Sequence, residues 1–577
     1  MNTLVETPHT FRSWDDAELF YRAWQPACGN GKAVIVLHRG HEHSGRLGQL
    51  VTSLNLEGFA CFAYDMRGHG QSEGERGYAD SYDVWVKDLN AFINHIRDEY
   101  GIAPENMALV ANSVGAVTAV TWIHDYGVTV RCLVLAAPAF RIRLYIPFAI
   151  PLLRMLRAIK PKAFITSYVR SGMLTHDPAE ARAYDADPLI TRKIAVSVLI
   201  GLHDTATRIL SDAGAITVPT LLFTPGTDYV VDGKVQARFL AAISSTRKEQ
   251  VTFPGMFHAV FSEINRNEAT VKSREFILSC FKDEVPGGLL NADKAGYTRQ
   301  EYDALKAPAG LLKRAFFGLQ VLALRTVGRL SQGVSTGWAT GFNSGASLDH
   351  VYRNQAEGRT VLGRLIDRGY LNAVGWRGIR IRKDNLQYWI RHAAKRLEAE
   401  GRPVRIMDIA SGPGRYLLEL KRELGDSVAV LLRDREQANL DKAGALAAEW
   451  KLANVQCVVA DAFDPKSYER FTFRPNIVVV SGLYELFGDN DKVRASLKGI
   501  AASMETGGYL IFTGQPWHPQ IELIARTLFG SDGEPWVMRR RTQCELNALV
   551  AATGFTRMDS RIDPFGIFTV SLARRVA

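Results

Sequence analysis

The chain has few cysteines and no closely spaced pair among them. Its six cysteines, Cys28, Cys61, Cys132, Cys280, Cys457 and Cys544, form no C-x-x-C, which argues against a zinc ribbon, a thiol redox motif or a disulfide framework and suits a reducing cytosol. No uninterrupted apolar run approaches the ~18–20 residues that cross a bilayer. The opening segment MNTLVETPHTFRSWDD has no basic stretch followed by an apolar one, so a secretory signal is not expected. The expectation is a cytoplasmic chain, either soluble or peripheral to the inner face of the membrane. What the chain does have is length, apolar content and positive charge: 577 residues, 47% hydrophobic, net charge +10. The length calls for two domains of about 250–300 residues each. The charge favours an anionic partner without choosing between nucleic acid and an acidic membrane, and the oligomeric state is not legible.

The first half is organised around Leu109-Val110-Ala111-Asn112-Ser113-Val114-Gly115-Ala116. An apolar run from Met107 to Ala111 reads as a buried strand, and a small-residue helix from Val114 to Trp122 follows at once, leaving Ser113 at the apex of a strand–turn–helix. In such a turn the hydroxyl stands clear of the sheet and the next amide, of Val114, faces a developing oxyanion. Upstream, Phe11 to Trp24 alternate as a hairpin, and Ala33 to Leu37 form a buried strand that runs into His38-Arg39-Gly40-His41-Glu42-His43-Ser44-Gly45-Arg46. The strand Phe59 to Tyr64 ends in Asp65-Met66-Arg67-Gly68-His69-Gly70-Gln71-Ser72-Glu73-Gly74. The histidines of the first loop lack a supporting carboxylate constellation, so no metal site is expected.

These three motifs, in this order, resemble the monoacylglycerol lipase and lysophospholipase group of α/β-hydrolases over roughly residues 10 to 283. The resemblance implies a serine hydrolase acting on a small-molecule or lipid acyl ester. The chain departs from the family at Arg39, where a glycine normally lets backbone approach the substrate, and at Ala111 and Ala116, where the elbow normally carries glycines. The acid and the base of the triad should follow the serine in chain order. Asp228 comes after the strand Pro219 to Thr224, and His258 after the strand Gln250 to Phe253. Ser113 would attack a carbonyl, His258 carry the proton, Asp228 fix the imidazole tautomer, and the Gly40 and Val114 amides hold the oxyanion. The stretch from about 139 to 215 is too long for one crossover helix and reads as a cap. Its segment RIRLYIPFAIPLLRMLRAIKPKAF mixes apolar residues with cations. It reads as an amphipathic helix over the core or as an acyl entrance resting on an anionic membrane.

After the helix Val271 to Phe281, residues 282–288 (Lys-Asp-Glu-Val-Pro-Gly-Gly) punctuate the chain as a linker. Ala309 to Leu330 is a cationic, apolar helix that either packs or lies on lipid, and Gly333 to Gly345 reads as a loop. Arg359 to Lys383 is rich in cations, but the interleaved aromatics of a nucleic-acid groove are few (Tyr370, Trp376), so nucleic acid is not expected. Val404 to Ile409 is a strand entering Asp408-Ile409-Ala410-Ser411-Gly412-Pro413-Gly414 and then a helix. Such a turn lets a nucleotide-like ligand approach the backbone at a helix N-terminus.

The strand Ser427 to Leu432 leads to Asp434, suited to ribose hydroxyls. Val455 to Ala460 leads to Asp461-Ala462-Phe463, suited to adenine. Asn476 to Val480 leads to Ser481-Gly482-Leu483-Tyr484-Glu485, and Gly507-Gly508 precedes the strand Tyr509 to Thr513. This series resembles class I S-adenosylmethionine-dependent methyltransferases over roughly residues 370 to 577, with Ala410 where that family more often has glycine. It implies S-adenosyl-L-methionine as cofactor, with Asp408, Ala410, Gly412, Gly414, Asp434, Asp461, Ala462, Phe463 and Ser481 around it. Tyr484, Glu485 and His518 stand as acceptor-side candidates. No Asn-Pro-Pro-Tyr occurs and no Pro-Cys pair follows the fourth strand, which disfavours adenine or glutamine amino groups and cytosine carbon as acceptors.

The sequence thus reads as an α/β fusion: an α/β-hydrolase fold with a helical cap, followed by a Rossmann-like class I methyltransferase domain. The expected segments are 1–284 for the hydrolase, 285–370 for linker and helical extension, and 371–577 for the methyltransferase. The expected function is bifunctional, in lipid metabolism. Two alternatives stand beside it. One is aminopeptidase use of the same triad, and the other is a silent hydrolase serving as a membrane or nucleic-acid binding module.

Overall fold

The computed structural model describes residues 4–283, 289–469 and 473–576, so residues 284–288 of the expected linker lie outside the described residues. The chain divides into two units, Met1–Gly287 and Gly288–Ala577.

Fully apolar runs build the first sheet from the middle outward. Strands β3 (Ala33–Leu37), β4 (Ala60–Tyr64), β5 (Met107–Asn112) and β6 (Cys132–Ala136) are buried at every position, as strands covered on both faces must be. They are preceded by β1 (Val5–Arg12) and β2 (Glu18–Gln25), whose antiparallel pairing gives the expected hairpin. In the cap, β7 (Phe164–Thr166) and β8 (Lys193–Ala195) pair with each other; β9 (Thr220–Pro225) and β10 (Lys248–Phe253) then return to the main sheet. The order is β1-β2-β4-β3-β5-β6-β9-β10, parallel from β4 onward. Loops at the carboxyl ends of β3, β5, β9 and β10 therefore open on one edge of the sheet, where ligands bind in open α/β folds.

The cap contributes helices Ala149–Ile159, Pro178–Ala186 and Val196–Ser211. A buried polar cluster ties the last of these to the helix behind the nucleophile turn, Val114–Tyr126. His124 sits between Asp125 and Asp212 at 2.7 Å from each, and Arg208 makes a two-point pair with Asp125. The helix Ala149–Ile159 packs through only part of its apolar side, where Leu153 lies against the buried cluster of Ala163, Val196 and Ile200. None of its residues is buried; Phe148, Leu152, Met155 and Ile159 are 80%, 49%, 58% and 78% exposed.

The second unit has strands β11 (Arg405–Ile409), β12 (Ala429–Asp434), β13 (Val455–Val459), β14 (Ile477–Val480), β15 (Tyr509–Gly514), β16 (Phe555–Ile562) and β17 (Thr569–Arg575). Their order is β13-β12-β11-β14-β15-β17-β16, with β17 antiparallel to both neighbours. One apolar cluster packs on each face of this sheet. Strand β12 runs two residues further than its apolar pattern suggests, because Arg433 and Asp434 keep pairing with Val458 and Val459 of β13.

One expectation for the helical extension is corrected. Residues 333–345 are mostly helix, Gln332–Thr340 and the start of Gly345–Arg353. Ser331 and Ser344 cap these helices, each accepting from an amide three residues on. A Cβ on Gly337 would stand 2.3 Å from the Phe342 ring, so the small residues there serve close packing. The cations of 359–383 have separate engagements: Arg382 is buried, Arg380 donates to the Leu371 carbonyl at 2.9 Å, and Arg377 covers the Phe565 ring. Among the described residues no single helix is long and apolar enough to cross a membrane.

Candidate active sites

At the end of β5 the chain turns through Ser113 with φ +49° and ψ −108°. This left-handed backbone is strained for a residue with a side chain, and it is held by the Ser113 amide on Ala136 O at 2.9 Å and the Ala139 amide on Ser113 O at 3.1 Å. A Cβ on Gly115 would meet the His38 carbonyl oxygen at 2.6 Å, so the second elbow position requires glycine. Ala111 and Ala116, which are wholly buried, have room for their methyl groups.

The structure brings Ser113, Asp228 and His258 together. His258 Nδ1 donates to Asp228 Oδ2 at 2.8 Å, and Ser113 Oγ lies 2.9 Å from Nε2. Asp228 Oδ1 accepts from the amides of Val230 and Val231 at 2.7 and 2.9 Å. Burial pushes the Asp228 carboxyl up, but the His258 imidazole and the two amides outweigh it and leave the group below its ordinary value. All three residues are less than a tenth exposed, and Ser113 and His258 border a cavity of about 120 Å³ under the cap.

Gly40 and Val114 lie side by side: a Cβ on Gly40 would be 3.2 Å from Val114 Cγ2. Among the described residues neither amide has a hydrogen-bond partner. Arg39, placed where the resemblance puts glycine, directs its guanidinium to Glu42, with Nε at 2.8 Å and Nη2 on the other oxygen. The loop histidines are engaged structurally. His38 Nε2 accepts from the Met66 amide at 2.9 Å, and His43 Nε2 meets Asp187 at 2.9 Å. Among the described residues no cluster of three His, Cys, Asp or Glu side chains could hold a metal.

In the second unit, β11 passes into a turn where Ala410, Gly412 and Gly414 all have φ between +54° and +64°, followed by helix Arg415–Leu424. Ala410 thus takes the left-handed conformation despite its methyl group. The Gly412 amide donates to Asp434 Oδ2 at 2.8 Å, and Asp434 Oδ1 accepts from Glu436 N at 2.9 Å. Two buried polar atoms beside the turn, Asp408 Oδ2 and Ser481 Oγ, have no partner, and burial pushes the Asp408 carboxyl up to about 8. Asp461 is exposed and accepts from the Phe463 amide at 2.8 Å, Ala462 is buried, and Phe463 meets Phe487 edge-on at 4.5 Å. An element the sequence reading missed comes over the turn. The Gly345 Cα would be 3.7 Å from a Cβ on Gly412, and the helix Gly345–Arg353 is fastened to Arg415 through Asp349. Helix-cap serines flanking Gly345 were the available signal.

Of the acceptor-side candidates, Glu485 and His518 line a cavity of about 420 Å³ at the carboxyl ends of β14 and β15. Tyr484 does not. Its ring belongs to the core cluster on one sheet face and its hydroxyl is 3.1 Å from Ser496 Oγ, because the short helical turn Tyr484–Leu486 sends successive side chains in different directions. The cavity also recruits Arg382, Trp376, Gln515 and Ile524 from distant stretches, which no local motif marks.

The first unit has the architecture of an α/β-hydrolase and the second that of a Rossmann-like methyltransferase. Residues 273–575 match the family described as "Putative methyltransferase", and residues 30–265 match that described as "Serine aminopeptidase, S33". Over its whole length the chain is 42% identical to the Escherichia coli (strain K12) protein YnbC, described as uncharacterized, covering 99% of it. Human monoglyceride lipase is 30% identical over 45% of this chain and 85% of its own. The solved monoacylglycerol lipase of Paleococcus ferrophilus matches 45% of this chain and 99% of its own, at 25% identity and a TM-score of 0.41. The chain belongs to the methyltransferase family matched by its second half, as a fusion of a lipase-like hydrolase with a methyltransferase.

Proposed function

We propose that the first unit is a serine hydrolase of single-chain acyl esters, of the monoacylglycerol or lysophospholipid kind, and that the second is an S-adenosylmethionine-dependent methyltransferase, both in lipid metabolism. The observation that carries the first part is the unbroken chain Ser113 Oγ, His258 Nε2, His258 Nδ1, Asp228 Oδ2. His258 accepts the serine proton as Ser113 Oγ bonds to the ester carbonyl carbon. It returns that proton to the departing alcohol, then activates water to release the acid. Asp228 stays ionised and holds Nδ1–H. The unpartnered amides of Gly40 and Val114 serve the oxyanion. An aminopeptidase would need a carboxylate to hold an α-ammonium, and the described lining of this cavity includes cations (Arg39, Lys193) but no Asp or Glu. A silent hydrolase would have no use for so complete a hydrogen-bonded triad.

In the second unit the orphaned Asp408 and Ser481 oxygens and the open left-handed turn fit an adenosyl cofactor. Asp408 and the 410–414 backbone would hold its amino-acid and ribose part, Asp434 the ribose hydroxyls, and Asp461 with Ala462 and Phe463 the adenine. When bound it supplies an electrophilic methyl on sulfur. The chain's part is to place an acceptor in line with that methyl and keep water out.

The exposed apolar cap residues, with Arg154, Arg157, Lys160 and Lys162 nearby, suit contact with an anionic inner-membrane surface. None of the six cysteines is in a disulfide, which supports a reducing compartment. The test is labelling by a fluorophosphonate. Intact protein reacts, while Ser113→Ala gives none and His258→Ala falls about 1000-fold or more. Failure of the intact protein to label would remove the hydrolase reading. Calorimetric binding of S-adenosylmethionine, lost in Asp434→Ala, tests the other half.

A further inference from the structure

The lining of the 420 Å³ cavity of the second unit is mostly apolar, with a set of buried polar side chains at and near the carboxyl ends of β14 and β15. Leu324, Ile379, Ile524, Met538 and Phe568 are among the wall residues. The buried polar lining includes Arg382, Gln515, His518 and Glu485, exposed by 3%, 4%, 5% and 8%. Their hydrogen-bonding capacity is partly unspent. Arg382 Nε and Gln515 Nε2 have no partner. His518 Nδ1 accepts from the Gln520 amide at 3.0 Å, so in the neutral ring the proton is on Nε2, a third donor. The Glu485 carboxylate lies 3.7 Å from Arg382 Nη1 and otherwise accepts, among the described residues, only from its own backbone amide. Gly482, between β14 and Glu485, lets Arg382 reach this place, since a Cβ there would be 3.2 Å from both terminal guanidinium nitrogens.

Buried donors and acceptors left unpaired are costly, and the group that would satisfy this set must accept from several donors and donate to one carboxylate. An ammonium has no lone pair to offer Arg382, Gln515 or His518 and would be repelled by the guanidinium. A carboxylate would put a second anion against Glu485 with one cation to share. A pair of adjacent hydroxyls meets both demands: one donates to Glu485 and keeps a lone pair for the methyl, and its neighbour accepts from the donors. Resting on the methyltransferase reading above, we infer that this cavity is the methyl-acceptor site for a single-chain amphiphile with a polyol head, with the chain along the apolar lining, the reacting hydroxyl on Glu485 and its neighbour on the donors. Glu485 takes the hydroxyl proton as the oxygen lone pair forms the new O–C bond. The electron pair of the breaking S–C bond of the sulfonium donor stays on sulfur, which becomes a neutral thioether. The product is a methyl ether. Burial, which already holds the Glu485 carboxyl above its ordinary range, makes it a stronger base than an exposed glutamate.

The experiment uses the full chain with S-adenosylmethionine and four probes that the hydrolase does not cleave: 1-O-hexadecylglycerol, its butyl counterpart, hexadecanoate and hexadecylamine. We expect methylation of a hydroxyl of the hexadecyl ether with kcat/KM at least about 100-fold above the butyl compound, and none of the acid or amine. Ile524→Trp, which fills the cavity, should remove the chain-length preference, and calorimetry should show it no longer binds the hexadecyl ether. Glu485→Gln should lower kcat with little change in KM and abolish the acid limb of its pH profile; Glu485→Asp should restore part of the rate. Cofactor binding with no methylation of the long-chain alcohol, or with the acid or amine preferred, overturns the inference and leaves the methyltransferase standing. Absence of cofactor binding removes the methyltransferase reading itself.

Discussion

Asp408, proposed above to hold the cofactor, weighs against the fold that carries it. Its carboxyl is pushed by burial from 3.8 up to about 8, so the folded chain holds this proton across a range in which the unfolded chain has released it. Stability therefore falls as pH rises from about 4 to about 8 and changes no further above that. Asp408→Asn keeps the shape without the ionisation. We expect it to raise the melting temperature of the second unit by roughly 5 °C at pH 8, to change it little at pH 4, and to weaken cofactor binding, as read by calorimetry and by thermal unfolding. No gain at pH 8 would mean that the carboxyl is not held neutral. Residues like this were legible in the sequence because each lies near or just beyond the carboxyl end of a strand: Ser113, Asp228, His258, Asp408 and Asp434 accompany runs marked as strands by their composition. Tyr484 was not, since its direction depends on the phase of a three-residue turn. Nor were Arg382 and Gln515, which meet only through tertiary packing.

Among elements, the cap helix Ala149–Ile159 is one whose chemistry and surroundings disagree. A helix with no buried residue exposes much of its apolar side to water at a cost unless something covers it. An anionic bilayer fits the mixture of Phe148, Leu152 and Ile159 with nearby cations. Phe148→Asp together with Ile159→Asp is expected to reduce sedimentation with phosphatidylglycerol vesicles about tenfold, and salt should weaken the intact protein's binding. Hydrolysis of a short water-soluble ester should be unchanged, because neither side chain lines the catalytic cavity. Equal vesicle binding by the variant would sink the membrane contact. The helix itself was plain from its composition, but what lies against it was not. For 333–345 the reverse holds: a Gly, Ser and Thr composition suggested a loop, and packing against Phe342 with serine caps made helices. Propensity yields to tertiary contact where small residues allow close approach.

The whole molecule consists of two units, each with its own sheet and core. Such units are expected to unfold in separate transitions. S-adenosylmethionine at about 100 times its Kd should stabilise the second by about 2.7 kcal/mol, while the fluorophosphonate adduct should shift the first. Calorimetric scans in which either ligand moved both transitions equally would show the units to be thermodynamically coupled. The two-part organisation was legible from length, from the restart of the strand–helix pattern and from the two sets of strand-end motifs. Joining the two cores by peptide bond also settles their dosage. Every ribosome that completes one completes the other, so the cell holds them at one copy each however strongly the gene is expressed. Only the catalytic rates, and not relative abundance, remain to balance the two chemistries.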